Sequence, residues 1–464
     1  MKNYKHKISL TLKIIVFSLI LSSCQKDWFD VKSDKSLAVP KTIDEFEYLM
    51  DNVAVMNSNT PGLGEIGSDG HYTPDAGLIR LGNNSNAFDQ FNAYTWSNTY
   101  AYTEVKDWNE SYNRVFICNL VLDGLDKIKL SNDAEQVHLN SVRGNALFHR
   151  AINYYQLSQV YIQPYKVETA KSESGLPLKE GVDITETSKR SSVQQTYDQI
   201  INDLFKAIDL LPVSPSFLTR GSKTSAFALL ARIYLSMRDY ENAGRYANMC
   251  LDRYSKLMDY NDIPEASSNL GLFNVEVLFH STIVNWPIVY VPSVIFIDPD
   301  FYQSYENADM RKSRFFRINA DGIITFKGMY NRNSIQFSGI AVDEIYLIRA
   351  ECFARAGNVS SAMNDLNTLM KKRWNINVPY PTFTAIDPND ALKQILEERK
   401  KELLLRGIRW SDLRRLNQEA EYQVTLTRTV LGKTYKLEPN NFRYTLPLPK
   451  DVLDLSDMQQ NPGW

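Results

Sequence analysis

Apolar and small residues recur every three or four positions along residues 341–372, which is the spacing of one face of an amphipathic helix. In the first half of this segment they are Ala341, Ile345, Ile348, Cys352 and Ala356. Gly357 and Asn358 then interrupt the pattern, as such residues do at helix ends. A second apolar face follows at Ala362, Leu366, Leu369 and Met370. The segment therefore predicts two antiparallel helices joined by a short turn.

The same arrangement occurs a second time, in residues 224–251. Its small residue, aromatic residue, turn and second small residue are Ala231, Tyr234, Arg238-Asp239 and Ala243, which match Ala350, Phe353, Gly357-Asn358 and Ala362. This is the tetratricopeptide pattern, in which a small side chain lets the paired helix approach and the ring fills the adjacent space. Two unrelated hairpins that share alanines by chance are the alternative. Because one hairpin cannot bury both of its apolar faces alone, the pattern favours a stack of helix pairs.

Further helices are predicted on both sides of these hairpins. One helix runs from Trp108 to Leu125, and a long partner ends before Pro164. Either Ser192 or Thr196 begins the next helix, since both are good N-caps. A further helix runs from Asp390 through Leu403, and Trp410 to Leu416 form a short amphipathic piece. The predicted helix pairs thus occupy about residues 106–256 and 341–416.

The segments between these helices, residues 57–103 and 257–339, are rich in Gly, Asn, Pro and Ser and are predicted to be irregular. Within the second, residues 276–279 and 323–326 predict short strands. Residues 62–67, Gly-Leu-Gly-Glu-Ile-Gly, match the dinucleotide-binding fingerprint letter for letter. No strand is predicted before them and no helix after them, so a glycine-rich loop is favoured. The prediction is a mainly α scaffold with a loop-rich, partly β inserted region.

Composition and charge narrow the classes of partner. At 464 residues the chain is long enough for roughly two to four domains or a repeat array. A hydrophobic content of 44% with 23% charged residues is ordinary for a folded body. The net charge of −2 argues against a nucleic-acid partner, because neutralising phosphates requires a basic face.

The N-terminus predicts a lipoprotein signal peptide over residues 1–23, with the mature body at 24–464. Basic residues precede an apolar run at 14–21, which is shorter than the roughly 20 residues that a membrane span needs. Leu21-Ser22-Ser23-Cys24 resembles a bacterial lipobox, so Cys24 is the expected site of acylation. An ordinary secreted protein with an incidental Cys24 is the alternative. The following Gln25-Lys26-Asp27 resembles the export signal of surface lipoproteins in Bacteroidetes-type bacteria.

The sequence predicts no metal site and no cofactor. The five histidines, His6, His71, His138, His149 and His280, show no metal-ligand spacing. Gly432-Lys433-Thr434 lacks the upstream glycine of a phosphate-binding loop, and no nucleophile elbow occurs. The cysteines after Cys24 are predicted to be free, buried thiols rather than a disulfide framework; they are Cys118, Cys250 and Cys352.

The charged run at residues 397–402 is interpreted as a solvated helix face. Its adjacent carboxylates point about 100° apart on a helix, whereas Glu397–Lys401 and Glu402–Arg406 have the spacing of intrahelical ion pairs. A general acid and base formed by neighbours in sequence is therefore disfavoured. Glycosidase chemistry by carboxylates distant in sequence stays open.

Aromatic residues beside polar ones in the two irregular regions are the candidate ligand-binding residues. Flat rings stack on sugars while nearby Asn and Asp side chains bind hydroxyls. For each ring, burial in the core is the alternative. The candidates are Tyr72, Trp96, Tyr100 and Tyr102 in the first region and Trp286, Tyr290 and Tyr302 in the second.

Several motifs together resemble the SusD/RagB family of outer-membrane nutrient-binding lipoproteins. Besides the lipobox at Cys24, they are residues 192–211 and 226–235, 274–279, 309–311, Tyr-Leu-Ile-Arg-Ala-Glu at 346–351, Glu-Glu-Arg-Lys-Lys-Glu-Leu at 397–403, Gly-Ile-Arg-Trp-Ser-Asp-Leu-Arg-Arg at 407–415 and Gln-Asn-Pro-Gly-Trp at 460–464. The chain ends in Trp464, where the family usually has tyrosine. The resemblance implies a scaffold of about four tetratricopeptide-like helix pairs.

The resemblance also implies a function. Members of the family sit on a TonB-dependent, SusC-like outer-membrane transporter and capture glycan for import without hydrolysing it. The expected protein is therefore a non-catalytic, lipid-anchored glycan binder of the outer membrane, exposed at the cell surface. Peptide uptake by a member of the same family is the first alternative, and a glycoside hydrolase on the same scaffold is the second. Ligand-binding residues diverge within the family and are not carried over.

Overall fold

The computed structural model describes residues 40–82, 87–97, 105–183 and 185–464. The chain divides into two units, Met1–Lys41 and Thr42–Trp464, and every element given below belongs to the second. The predicted signal peptide, Cys24, Tyr100 and Tyr102 lie outside the described residues.

Helices dominate the described part of the chain, and the strands are short. The helices are α1 (Ile43–Met50), α2 (Val53–Met56), α3 (Leu63–Gly67), α4 (Asp75–Leu81), α5 (Ala87–Thr95), α6 (Lys106–Leu125), α7 (Asp133–Tyr161), α8 (Val193–Leu210), α9 (Lys223–Ser236), α10 (Tyr240–Leu251), α11 (Pro287–Tyr290), α12 (Pro299–Gln303), α13 (Arg311–Phe315), α14 (Val342–Arg355), α15 (Val359–Lys371), α16 (Pro388–Glu402), α17 (Arg409–Leu416) and α18 (Lys450–Asp454). The strands are β1 (His71–Tyr72), β2 (Ser174–Pro177), β3 (Arg190–Ser192), β4 (Val277–Phe279), β5 (Phe296–Ile297), β6 (Phe316–Ile318), β7 (Ile324–Phe326), β8 (Ile340–Ala341), β9 (Leu426–Val430) and β10 (Lys433–Leu437). They form five antiparallel pairs: β1 with β5, β2 with β3, β4 with β8, β6 with β7 and β9 with β10.

The long helices stack side by side as the repeat pattern predicts. Helix α7 packs between α6 and α8, α9 packs against α10, and α14 packs against α10, α15 and α16. Alanines occupy the contacts: Ala231, Ala243, Ala350 and Ala362 are all fully buried. The mainly α, tetratricopeptide-like fold is confirmed.

The two hairpins that share the repeat pattern also share their turn geometry. Arg238 and Gly357 both take a left-handed backbone, with φ of 62° and 80°. The next residue in each caps the second helix: the Asp239 side chain accepts from the Asn242 N–H, and Asn358 accepts from the Ser361 N–H. This agreement supports a true repeat rather than chance, because the turn, the cap and the small residues coincide.

The first segment predicted to be irregular contains three short helices, α3, α4 and α5. The prediction of loop was therefore wrong for these residues, whose apolar positions are too few to give a sustained period. The strands predicted at 276–279 and 323–326 are confirmed as β4 and β7. Cys118, Cys250 and Cys352 are free and buried, also as predicted.

The prediction of a solvated helix face at residues 397–402 was wrong, because Glu398, Arg399 and Glu402 are buried. Glu402 accepts from Arg311 Nη1 at 3.0 Å and from Arg373 Nε at 2.8 Å, and Glu398 pairs with Arg311. In sequence, Arg373 lies about 30 residues from Glu402, and Arg311 lies about 90 residues from it. The pattern of one helix cannot reveal such partners, so the run looked like a surface.

The glycines of residues 62–67 serve close packing. A Cβ on Gly62 would lie 2.5 Å from Ile283 Cγ2, and one on Gly64 would lie 2.8 Å from Trp410 Cδ1. Gly67 is equally tight, at 2.8 Å from Trp410 Cζ3. Helix α3 therefore rests directly on the Trp410 indole of α17, and the resemblance to a nucleotide-binding loop arises from packing.

Gly67→Ala is expected to destabilise the protein by about 1–3 kcal/mol, because the new methyl group would press on the buried Trp410 ring. The free energy of unfolding from urea denaturation measures this effect. Gly181→Ala is the matched control, since its Cβ would meet nothing closer than 4.0 Å. Equal stability of the two variants would contradict the packing argument.

Candidate functional site

A groove of about 990 Å³ lies beside the short helix α3. Five parts of the chain form it: residues 68–75 after α3, Tyr94 and Trp96 at the end of α5, residues 298–304 around α12, the last turns of α16, and residues 424–429 around β9. Its aromatic members are Tyr72, Tyr94, Trp96 and Phe301.

The loop from Ser68 to Thr73 forms one side of the groove. Strand β1 anchors it through pairing with β5, with Tyr72 opposite Phe296. The Tyr72 ring packs edge-on against Phe296 with centroids 5.7 Å apart, yet 36% of the residue stays exposed. The Thr73 N–H donates to the Tyr94 hydroxyl at 2.7 Å. This side therefore presents one accessible ring on a fixed backbone.

Arg428 of β9 holds the floor of the groove together. Its buried guanidinium donates to the backbone carbonyls of Ile66, Ser68 and Tyr94. It also lies 3.9 Å from the ring centroid of Tyr94 and 4.7 Å from that of Trp96. Burial lowers the pKa of Arg428 to about 10, so the group remains a cation at neutral pH. One side chain thus links α3, α5 and the two floor rings.

The hairpin of β9 and β10 forms the opposite wall. Its residues alternate, so that Thr427 and Thr429 are exposed while Leu426, Arg428 and Val430 are buried. Leu426 packs in a small core with Trp96 and Trp410. At the tip, the Leu431 N–H donates to Asp75 Oδ1 at 2.8 Å, which ties the hairpin to α4.

This hairpin was not predicted, because the last element predicted from the sequence ends at Leu416. Two signals could have found it. Residues 425–430 alternate between threonine and larger side chains, which is a strand pattern, and Leu431-Gly432 supplies a two-residue turn. Strand length and turn together predict a hairpin, although not its position beside α3.

Charged groups also line the groove, and several are paired. Asp69 accepts from Arg409 Nε at 2.6 Å and from Lys400 Nζ at 2.8 Å. Burial alone would raise the pKa of Asp69, but these two cations hold it well below its ordinary value. His71 is neutral, because burial lowers its pKa to about 3. The charge of Asp69 is therefore balanced by two fixed cations, whereas Arg428 is a buried cation that bonds only to carbonyl groups.

The structure brings together two of the seven predicted ligand-binding rings, Tyr72 and Trp96. Trp96 is only 4% exposed, and its indole donates to the Gly67 carbonyl at 2.9 Å, so it belongs to the floor. Trp286 is 2% exposed and donates to Asp107 Oδ1 inside the core. Tyr290 is half-buried at the end of α11 and does not line the groove. Tyr302 lines a separate depression of about 580 Å³, with Lys312 5.0 Å from its ring.

Among the residues that the structure describes, no three His, Cys, Asp or Glu side chains are grouped as metal ligands. None of the helices in these described ranges combines the length and the apolar character of a membrane-spanning segment.

Glu65 lies on the buried side of α3, beside the groove, and its carboxyl group makes the stability of the fold depend on pH. Its Oε2 accepts from the Gly407 N–H at 2.9 Å, and its Oε1 accepts from the Ser68 hydroxyl at 3.2 Å. Burial raises the pKa of Glu65 to about 7. The folded protein therefore holds this proton more tightly than the unfolded chain, whose glutamate pKa is about 4.3. This carboxyl stabilises the fold as the pH falls from 8 to 5.

Replacing Glu65 by glutamine should remove that dependence, since the amide does not titrate. The stability of the wild type relative to Glu65→Gln is expected to rise by roughly 2–3 kcal/mol between pH 8 and pH 5, given 1.36 kcal/mol per unit of pKa shift. Urea denaturation at both pH values measures this difference. The exposed Glu241→Gln serves as the control. Parallel pH profiles for Glu65→Gln and the wild type would show that Glu65 keeps an ordinary pKa.

Comparison with known proteins adds to this geometry. Residues 27–235 match a family model described as "Starch-binding associating with outer membrane", and residues 327–464 match the model of the SusD family. The chain belongs to the SusD/RagB family.

Relatives and solved structures agree with this assignment. SusD-like protein P2 of Formosa agariphila is 24% identical over 77% of this chain and 80% of that protein, and SusD-like protein P38 of the same organism is 22% identical over 75% and 79%. A putative sugar binding protein from Bacteroides vulgatus superposes with a TM-score of 0.73 at 20% identity, covering 92% of this chain and 100% of that one. A laminarin binding SusD-like protein gives a TM-score of 0.65 at 18% identity, covering 90% and 98%. These structural likenesses concern the fold.

In this SusD-family protein, the motifs at 346–351, 407–415 and 460–464 make contacts within the scaffold, whereas the motif at 397–403 also supplies Glu397, Lys400 and Lys401 to the groove lining. Glu351 accepts from Arg415 Nη1 at 2.6 Å, which joins the motif at 346–351 to the one at 407–415. In the terminal motif, Asn461 Nδ2 donates to the Tyr161 and Leu446 carbonyls. The Trp464 indole donates to the Thr445 carbonyl at 2.8 Å. These motifs therefore hold the scaffold, while the groove is lined mostly by residues outside them.

Proposed function

We propose that this SusD-family protein is a lipoprotein of the outer membrane, anchored through Cys24 and exposed at the cell surface, which binds an oligosaccharide without cleaving it. It would deliver that ligand to a TonB-dependent, SusC-like transporter. The groove carries the proposal, because it combines an accessible ring, Tyr72, with hydroxyl and carboxylate groups on rigid elements. The family model's description and the laminarin binding relative favour glycan as the ligand class.

The chemistry of the groove suits sugar recognition. The exposed Tyr72 ring can stack on the apolar face of a pyranose, and the threonine wall of β9 can bind its hydroxyls. At about 990 Å³ the groove has room for several sugar units, since small-molecule sites span roughly 300–1,000 Å³. The floor is held by Arg428 before any ligand arrives, which lowers the entropic cost of binding.

Binding without hydrolysis is supported by the positions of the perturbed acids. A glycosidase needs a carboxyl group with a raised pKa next to the scissile bond. Burial raises the pKa of Glu65, Glu276 and Asp89 to about 7 and that of Asp107 to about 6, and it also raises the pKa of Asp365. All five lie outside the groove lining. Glu65, Glu276 and Asp107 bond to neighbouring protein groups instead.

Calorimetry decides between glycan and peptide. The full-length protein, purified in a detergent without sugar head groups, is titrated with neutral and charged polysaccharides and with mixed peptides. Heat of binding with at least one polysaccharide, and no release of reducing sugar, is the expected result. Binding to peptides alone would favour the peptide-uptake alternative. Sugar release that is lost on a single carboxylate-to-amide change would favour the hydrolase.

Tyr72→Ala is expected to weaken binding of that polysaccharide about two- to twelvefold, because the variant loses the exposed stacking surface, which is worth roughly 0.5–1.5 kcal/mol. The same calorimetry measures it. Tyr48→Ala is the matched control, since Tyr48 is 71% exposed on α1 and does not line the groove. Equal affinities for both variants would show that Tyr72 is not part of the binding site.

The partner is tested by co-purification. A tagged protein extracted from its own membranes is expected to bring down a TonB-dependent transporter. Cys24→Ala should lower the membrane-bound fraction of the protein, because acyl chains would no longer hold it on the membrane. Recovery of the tagged protein without a transporter would remove the delivery step from the proposal.

A further inference from the structure

The acidic and basic groups that line the groove differ in whether they form ion pairs. Four of the lining carboxylates, Asp75, Asp298, Asp300 and Glu397, have no Lys, Arg or His within ion-pair distance among the described residues. Asp75 and Asp298 accept only from backbone N–H groups, of Leu431 and of Asp300 and Phe301. Their negative charges are therefore not neutralised.

The positive groups of the groove are all engaged within the protein. Lys400 pairs with Asp69 and also lies 5.3 Å from the Phe301 ring, with its side chain 33% exposed. Lys401 pairs with Glu398 at 2.9 Å and is 15% exposed. Arg428 is buried against three carbonyls. A sulfate or carboxylate on a ligand would therefore share Lys400 or Lys401 with an acidic group of the protein and would not meet an unpaired cation.

The internal residues between the described ranges add no lysine or arginine. Residues 83–86, 98–104 and 184 contain neither lysine nor arginine. Among the histidines, His71 lines the groove but stays neutral, because burial lowers its pKa to about 3. Within the described part of the chain, a polyanion entering the groove would thus meet unpaired carboxylates and no unpaired lysine or arginine.

We propose that the groove accepts an uncharged glycan and rejects glycans that carry sulfate or carboxylate groups. This inference rests on the proposed glycan-binding function and specifies which class of glycan the groove binds. Like charges brought together at an interface oppose binding, and carboxylates placed around a site are an effective means of excluding the wrong partner. Hydroxyl groups, by contrast, can donate hydrogen bonds to the same free carboxylates.

The test uses matched pairs of ligands. The full-length protein in a detergent without sugar head groups is titrated with laminarin, amylopectin, xyloglucan and galactomannan, each as the neutral polymer and as its sulfated derivative, and with alginate and pectate. The expected result is that a neutral polymer binds at least about tenfold more tightly than its sulfated form, or about 1.4 kcal/mol. The gap should narrow when NaCl is raised from 0.1 M to about 1 M, because the screening length falls from about 10 Å to about 3 Å.

One substitution assigns the discrimination to the groove. Glu397→Lys is expected to raise the affinity for the sulfated form about threefold, since it replaces an unpaired lining carboxylate on α16 by a cation. Asp209→Lys makes the same change of charge at an exposed position of α8 outside the groove and should have no effect.

Three results would overturn the inference. Equal or tighter binding of a sulfated or uronic polymer by the wild type would refute the specificity and leave the glycan-binding function standing. An unchanged affinity ratio in Glu397→Lys would show that the groove carboxylates do not cause the discrimination. Failure of every polymer, charged or neutral, to bind would instead refute the proposed function, and the ligand class with it.

Discussion

Arg311→Met is expected to lower the free energy of unfolding by about 3–5 kcal/mol, a large part of the 5–15 kcal/mol that a typical protein possesses. The Arg311 side chain is fully buried and is surrounded by three carboxylates. Asp309 Oδ2 lies 2.6 Å from Nη2, Glu402 Oε2 lies 3.0 Å from Nη1, and Glu398 is also in contact. Removing the guanidinium leaves these negative groups without most of their counter-charge, in a position that water does not reach.

Lysine should not rescue this position. Arg311 bonds through Nε, Nη1 and Nη2 at once, and a single ammonium group cannot reach three carboxylates in that geometry. Arg311→Lys restores the positive charge but not the fork geometry, and it is expected to recover no more than about 1 kcal/mol of the stability lost in Arg311→Met. Guanidinium denaturation followed by circular dichroism provides the measurement.

The control is the same chemical change at a position without buried partners. Arg317, six residues further along the chain, is exposed on β6. Arg317→Met should change stability by no more than about 0.5 kcal/mol. If Arg311→Met unfolds at the same denaturant concentration as the wild type, the buried ion pairs contribute nothing to the fold.

The buried network shows where sequence reasoning reaches its limit for the fold. The helix pairs could be predicted because each carries its own period, and the matching Ala231 and Ala350 indicated how the pairs pack. The burial of Glu402 could not be predicted, because its partners Arg311 and Arg373 come from two distant segments. A charged residue on a helix is usually solvated, and only the tertiary contacts make this one an exception.

The same limit applies to the groove. Tyr72 and Trp96 could be predicted as candidates because aromatic residues in a polar, Gly-rich segment are unusual. Their distinct positions, one exposed and one in the floor, depend on β5 and β9, which are more than 200 residues away. Arg428 could not be predicted as a groove residue, because an arginine in a short strand is ordinary.

Arg428→Met is expected to weaken glycan binding at least about tenfold and to lower the free energy of unfolding by about 2–3 kcal/mol, because hydrogen bonds from a charged donor are worth roughly 1.5–3 kcal/mol. The variant would leave the carbonyls of Ile66, Ser68 and Tyr94 without their donor. Tyr94 and Trp96 would also lose the cation that lies between them. Calorimetry with the tightest-binding polysaccharide and urea denaturation measure the two effects separately.

The two measurements distinguish a positioning role from mere stability. Arg245→Met, at an exposed arginine of α10, should alter neither quantity. At temperatures well below its midpoint, Arg428→Met remains folded, so any loss of affinity there reflects a displaced floor rather than unfolded protein. Undiminished affinity in a folded Arg428→Met would show that the ligand binds elsewhere on the molecule. A selective loss would mean that a buried cation, held against three backbone carbonyls, sets the shape of the surface that the sugar meets.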